Sequence, residues 1–188
     1  MTGDPDQRFM LQQVMDAAYA ITGQITFTRA YQEIGLYKPV WQRIPVTVSR
    51  ASKGIKIPDI RVDPCLEELE VRADPLLEKV FYCLFDNSQR HGRTVSTARI
   101  SGHLESGSFV LVYEDDGAGI GKDEKERIFE RGFGKNTGYG LFLAREILSI
   151  SGNTIKETGT PGVGARFEIG FPPSSFRVNR PQKHSEDP

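Results

Sequence analysis

Three short stretches of this 188-residue chain combine residue types and spacings that could do chemistry. The first is Cys83, Asn87, Arg90 and His91, spaced i, i+4, i+7 and i+8, so a helix presents all four on one face. A carboxamide oxygen is a hard ligand suited to Mg2+, and a guanidinium is a forked donor suited to phosphate. Taken singly, such a stripe is more often the solvated face of an amphipathic helix. The second stretch is Val112 to Ile120, where a strand runs into D-x-G-x-G at Asp115, Gly117 and Gly119. A carboxylate at a strand end can accept the exocyclic amine of adenine, and glycines let a ring lie against backbone. A turn with acidic caps uses the same residues. The third is Ile128 to Leu141, rich in glycine and leading into a helix near Gly140. Free N–H groups and the positive end of the helix dipole make such a start an anion site. Gly138 and Gly140 allow close approach of phosphate, and Lys135 adds charge. Neither G-x-x-x-x-G-K-[ST] nor a parallel βαβ setting is present, so this is not a Walker or a Rossmann loop. Of the 19 glycines, 11 fall between Gly117 and Gly164, marking backbone that turns sharply or admits a ligand.

Composition narrows the class of function. A net charge of -1 from 24 basic and 25 acidic residues removes the broad electrostatic case for nucleic acid or an anionic membrane. No apolar run approaches the roughly 20 residues a membrane helix needs. The start, MTGDPDQRF, lacks a basic-then-apolar signal pattern, so a cytoplasmic location is expected for this fragment, with membrane attachment of a full-length protein left open. Cys65 and Cys83 form no disulfide framework, and with only His91, His103 and His184 a His/Cys zinc site is not expected.

The elements that must hold these residues fall into parts. Asp4 and Pro5 suit a helix start, and Leu11, Val14, Ala18, Ile21, Ile25 and Thr28 follow a 3-4-3-4-3 spacing toward Gly35. So narrow a seam fits helix-on-helix pairing as well as packing on its own domain. Residues 1–35 thus form a helical segment, and 36–45, punctuated by Pro39 and Pro45, a linker. Residues 46–172 read as the globular domain. A short helix is predicted over Val46–Ser52 and strands over Ile60–Val62 and Leu69–Ala73. A helix over Leu76–His91 follows, with Asp74 as cap and Pro75 at its first position. Next come a hairpin of Val95–Leu104 and Phe109–Glu114, a helix over Gly140–Ile150, and strands over Thr154–Thr158 and Gly164–Phe171. The class is α+β, one mostly antiparallel sheet with helices on one face. Residues 173–188 read as a disordered tail.

Taken in order, these motifs resemble the ATP-binding catalytic domain of sensor histidine kinases, of the superfamily shared with gyrase, the Hsp90 chaperones and the MutL proteins. Phe81 to His91 is similar to the family's N box, Asp115 to Ile120 to its G1 box, Ile128 to Phe133 to its F box, and Thr137 to Leu143 to its G2 box. The resemblance implies a two-layer α/β sandwich with a mixed sheet, the Bergerat type. It implies that Asn87 coordinates Mg2+ on the ATP phosphates and that Arg90 and His91 lie near phosphate and purine. Asp115 takes the adenine amine, Gly117, Gly119 and Ile120 shape the pocket, and residues 122 to 137 form a short ATP lid. Lys135, Thr137, Gly138, Tyr139, Gly140 and Leu141 wrap the phosphates. Phe27 to Tyr31 and on to Trp41 looks like the second helix of a dimerisation hairpin and its linker. The first helix, bearing the phosphoacceptor histidine, would lie before residue 1, so the chain is expected to be a fragment of a longer kinase, inactive without that phosphoacceptor helix and without a catalytic residue of its own. The implied function is transfer of the ATP γ-phosphoryl group to that histidine in two-component signal transduction. The implied partners are the dimerisation domain of the same phosphoprotein kinase, a response regulator receiver domain, and a second copy through the N-terminal helix.

Two residues depart from the pattern. Cys83 stands where histidine kinases usually have a first Asn and where gyrase and Hsp90 have a catalytic Glu; a thiol is a poor hydrogen-bonding group and no general base at its ordinary pKa. Ala165 stands where the family often has Thr, removing a hydroxyl from the adenine surroundings. The alternative is therefore a degenerate module that senses nucleotide or docks a partner without phosphotransfer.

Overall fold

A long helix, α1 (Pro5–Glu33), opens the chain and stops where Gly35 takes a left-handed φ of 72°, the conformation that commonly ends helices. The computed structural model describes residues 5–92, 94–134 and 138–179. After α1 come β1 (Val40–Arg43), α2 (Ile44–Ala51), β2 (Asp59–Val62), β3 (Leu69–Ala73), α3 (Leu77–His91), β4 (Thr97–Glu105) and β5 (Ser108–Asp115). The second half holds α4 (Gly140–Ser149), β6 (Thr154–Glu157), β7 (Arg166–Phe171) and β8 (Phe176–Val178), with short 3-10 turns between.

The main sheet has the order β2-β4-β5-β7-β6. Only β2 and β4 run parallel; the other neighbours are antiparallel. The hairpin between β4 and β5 turns at Ser106 and Gly107, both with positive φ, the backbone twist that two-residue hairpins favour. Period-2 alternation sends Ala98, Ile100, Leu111, Tyr113, Phe167, Ile169 and Phe171 to one face, all buried. Helices α3 and α4 cover that face. On α3 the buried positions are Leu77, Val80, Phe81, Leu84, Phe85 and Ser88, a helical stripe whose final member is polar. Phe85 meets Tyr113 edge-on at 5.5 Å between ring centres, and each such fully buried aromatic stabilises the fold by about 2–3 kcal/mol.

The structure departs from the sequence-based expectation in three places. There are two sheets rather than one: β1, β3 and β8 form a separate antiparallel sheet in the order β1-β3-β8. Residues 40–43, read as linker, form β1 because Val40 to Arg43 pair with Ala73 to Glu70, and α2 begins before Val46 because Pro45 fits its first turn. Residues 173–179, read as the start of a tail, form a 3-10 turn and β8. Phe176 packs on Phe109 with ring centres 5.6 Å apart, and Arg177 both pairs with Glu70 at 2.6 Å and lies 4.3 Å over the Trp41 ring. A three-residue strand is too short to display a period. The remainder of the tail, 180–188, lies outside the described residues.

Along α1, the Leu11, Val14, Ile21 and Ile25 seam is exposed, with each of the four 60% or more accessible. A second stripe, Phe27, Ala30, Tyr31 and Ile34, holds the helix to the domain: Phe27 and Ala30 are buried, and Tyr31 stacks near Phe142 of α4. Gly35 N–H donates to Asp74 Oδ2 at 3.0 Å, while Oδ1 of the same carboxylate accepts from Leu76 N–H at 2.8 Å. The end of α1 and the start of α3 thus share one side chain.

Candidate nucleotide site

Strand β5 ends at Asp115, and its neighbours set the carboxylate. Oδ1 accepts from the backbone N–H of Gly117 at 2.9 Å and of Ala165 at 2.9 Å. Oδ2 accepts from the Ser88 hydroxyl. A carboxylate has about four acceptor positions, so three are filled and one is left, on an oxygen already fixed in space. The close approach needs Gly164: its φ is 151°, and a Cβ there would stand 1.8 Å from the Asp115 carbonyl oxygen. Asp116 has a different task. It accepts from Ser96 N–H at 2.9 Å, Thr97 N–H at 3.0 Å and the Ser96 hydroxyl, and these bonds, the Ser96 hydroxyl first, hold its carboxyl below the usual range. The two adjacent aspartates therefore separate into one that ties the loop to β4 and one that faces the site. Gly117 is buried against Gly92, Gly119 backs onto Thr160, and Ile120 is half-buried against the core.

The chemistry-bearing face of α3 lies alongside. Asn87 directly precedes Ser88, the residue that touches Asp115, on the same helix. Asn87 is half-buried and its side chain has no hydrogen-bond partner among the described residues. One turn earlier, Cys83 reaches α4: a Cβ on Gly140 would lie 3.8 Å from its sulfur. Burial, with a smaller contribution from Asp86, pushes the Cys83 thiol up to about 12, so it is a neutral thiol at neutral pH. Arg90 pairs with Asp86 at 2.7 Å, one turn back on the same helix, and His91 is exposed at the helix end.

The segment between β5 and α4 is rooted at both ends. Near its start, Lys125 pairs with the fully enclosed Glu157 at 2.6 Å and donates to the Gly159 carbonyl at 2.5 Å. Phe129 is buried with its ring edge-on to Phe167, and Arg145 of α4 donates to its carbonyl at 2.8 Å. Near its end, Gly132 N–H donates to the Gly138 carbonyl at 3.1 Å. Gly138 takes φ 61°, and a Cβ there would sit 2.5 Å from the Gly132 carbonyl carbon. Among the described residues no side chain caps the N-terminus of α4, and the first N–H groups of a helix are a natural place for an anion. Leu141 is buried in the core, which leaves its backbone to face the site. Tyr139 stacks on Phe27 of α1 at 4.3 Å, and Arg131 lies 5.8 Å from the Phe27 ring. Lys135 and Thr137 lie outside the described residues.

The structure joins Asp115 to Ser88, Gly117 and Ala165 and brings Cys83 up to Gly140, while Asn87 lies on α3 between Cys83 and Ser88. It turns Arg90 toward Asp86 and the Tyr139 ring toward α1. Sequence reasoning missed Ser88, Lys125 and Phe27. Ser88 had a readable signal: it occupies the sixth place of an otherwise apolar stripe, and a buried polar side chain needs a partner.

Known proteins share sequence and fold with this chain. The family described as histidine kinase-, DNA gyrase B- and HSP90-like ATPase matches residues 73–175. The sensor histidine kinase GraS of Staphylococcus epidermidis is 33% identical over 96 residues, which is 47% of this chain and 28% of that protein. The alginate biosynthesis sensor protein KinB of Pseudomonas aeruginosa is 32% identical over 101 residues, 51% of this chain and 17% of that protein. The chain therefore spans well under half the length of these relatives. Among solved structures, full-length ShkA in complex with AMPPNP superposes with a TM-score of 0.69 at 16% identity, over 96% of this chain and 41% of that one. The ATP-binding domain of PrrB from Mycobacterium tuberculosis gives 0.59 at 20% identity, over 72% of this chain and 98% of that one.

Proposed function

The chain belongs to the histidine kinase-, DNA gyrase B- and HSP90-like ATPase family and carries an ATP-binding domain of the sensor histidine kinase kind; on that premise we propose that it holds Mg-ATP for phosphoryl transfer to a histidine. The single observation that carries the reading is the one open acceptor position of Asp115, at the end of β5, on a carboxylate already fixed by three donors. Asp115 accepts the adenine amine, Gly117 and Gly119 line the base, and the backbone of Gly138, Tyr139, Gly140 and Leu141 receives the phosphates; Lys135 and Thr137, outside the described residues, are the further candidates for phosphate contact. Arg90 and His91 border the phosphate end.

The unpartnered Asn87 oxygen fits a Mg2+ ion. Bound there, the ion would neutralise phosphate charge. The protein's remaining work is positioning. The imidazole nitrogen of the acceptor histidine forms a bond to the γ-phosphorus, the bond to the ADP oxygen breaks, and the imidazole proton passes to solvent. The acceptor lies on a dimerisation helix paired with the exposed seam of α1, which also makes a homodimer. A response regulator receiver domain then takes the phosphoryl group. Among the described residues no helix is long and apolar enough to cross a membrane.

Calorimetry with ATP, with and without Mg2+, on the wild type and on Asp115→Ala tests the site. Mg-dependent binding that falls at least about 30-fold in the variant is expected, the cost of a lost charged hydrogen bond. Transfer of labelled γ-phosphate to a supplied dimerisation domain tests the reaction. Binding without any labelled product would favour the second reading, a nucleotide-sensing or partner-docking module, for which the neutral Cys83 thiol at the N box speaks.

A further inference from the structure

We infer that Ser88 is a positioning residue that, together with Tyr113, aims Asp115 and makes it selective for a purine bearing a 6-amino group. The inference rests on the nucleotide reading of the site above.

The argument is one of proton directions. Ser88 is buried at 1% exposure, and its oxygen stands 2.8 Å from the Tyr113 hydroxyl and within hydrogen-bonding reach of Asp115 Oδ2. A carboxylate can only accept, and Ser88 has a single proton, so that proton goes to Asp115. The Ser88 oxygen is then left to accept, and Tyr113 donates to it. Burial drives the Tyr113 phenol well above its ordinary pKa, so the proton that starts the chain stays in place. The two backbone N–H donors on Oδ1 point the same way. Every group around Asp115 is a donor, so its open position is an acceptor and nothing else. A 6-amino group satisfies it; a 6-keto oxygen meets an acceptor with no proton to share, and the mismatch leaves two buried acceptors facing each other.

Ser88 also answers the loss of a hydroxyl at Ala165. Residue 165 reaches Asp115 only through its backbone N–H, at 2.9 Å. The side-chain hydroxyl on Asp115 comes instead from α3, on the other oxygen. That helix also carries Asn87, so base recognition and the metal-facing carboxamide lie on consecutive residues of one rigid element.

The test compares two nucleotides on the full chain, each with Mg2+: ATP and purine riboside 5′-triphosphate, which lacks the 6-amino group. The wild type is expected to bind ATP more tightly. Ser88→Ala should weaken ATP about tenfold and purine riboside triphosphate by no more than about twofold, the pattern of a residue acting through the amine contact. Ser88→Thr should restore most of the ATP affinity by restoring the hydroxyl. Tyr113→Phe removes the upstream donor without touching α3 and should weaken ATP alone by about threefold, which keeps the idea testable if Ser88→Ala does not fold. Equal losses for both nucleotides, or undiminished ATP binding in Ser88→Ala, would overturn the inference. So would a wild type that binds the two nucleotides equally. A wild type that binds neither would overturn the nucleotide reading itself, and that outcome is distinct from the others.

Discussion

Position 83 faces the start of α4 with a side chain that can neither coordinate a hard cation nor take a proton from water. Its sulfur sits 3.8 Å from where a Gly140 side chain would begin, and burial keeps it a neutral thiol. An amide there would add an oxygen one turn from Asn87, on the same face. Cys83→Asn is expected to raise the rate of phosphoryl transfer several-fold, with ATP affinity rising less, measured by labelled transfer at saturating nucleotide. An unchanged rate would show that the thiol is no handicap. At this scale the sequence names candidates by motif order and says little of how they are held. Asn87, Asp115 and the glycines of the phosphate segment could be read from motif order. Ser88 could be flagged as a buried polar residue in an apolar stripe, but its partner Tyr113 could not, because the bond between them joins residues 25 apart across a helix–sheet interface, and single-sequence patterns carry no such pairing.

The elements show how a segment of irregular backbone is made firm at its roots. Lys125 and Glu157 form the anchor at one end, and the carboxylate is fully enclosed. Lys125→Met would leave that charge buried without its partner and should cost about 3 kcal/mol of stability, read by urea unfolding. The double variant Lys125→Met, Glu157→Met should recover much of the loss. At the other end, α1 lies on Tyr139 through Phe27. Phe27→Ala is expected to weaken that docking by about 2–3 kcal/mol and to raise amide exchange in the last turns of α1 while sparing α3. Helices were legible from caps, glycines and apolar period, and their ends were met within a residue or two. The 40–43 and 176–178 strands were not, since neither has an amphipathic length of its own; each forms because β3 lies between them with both edges to pair. The docking stripe of α1 was hidden by a longer, more regular apolar seam on the same helix.

Over the whole molecule, the outer face of the main sheet is held by charge rather than by a second layer of helices. Glu168 of β7 pairs with Lys156 of β6 at 2.6 Å and with Arg166 of its own strand, and Arg166 reaches Glu114 of β5 at 3.1 Å. Partial burial works against the Glu168 charge, but Lys156 and Arg166 outweigh it and bring its carboxyl down to about 2. The folded pKa is below the unfolded one, so the stabilisation is complete above about pH 4.5 and disappears as pH falls toward 2. Glu168→Gln should lower the melting temperature by about 5 °C at pH 7, on the order of 2 kcal/mol, and converge on the wild type near pH 2. Equal offsets at both pH values would assign the effect to packing instead. The sequence foretold a sheet with one covered face; it did not reveal this cross-strand network, because register decides which charges meet.

The small sheet holds the chain's single tryptophan, Trp41, partly exposed beneath the Arg177 guanidinium. None of that sheet's strands contributes a residue to the nucleotide site. Trp41 emission is therefore a built-in optical gauge of one region only: it should shift to longer wavelength when β8 peels from β3, and stay silent when a nucleotide binds. Titrated with denaturant alongside far-ultraviolet dichroism, the two signals would tell whether the molecule melts as one cooperative unit or sheds its smaller sheet first.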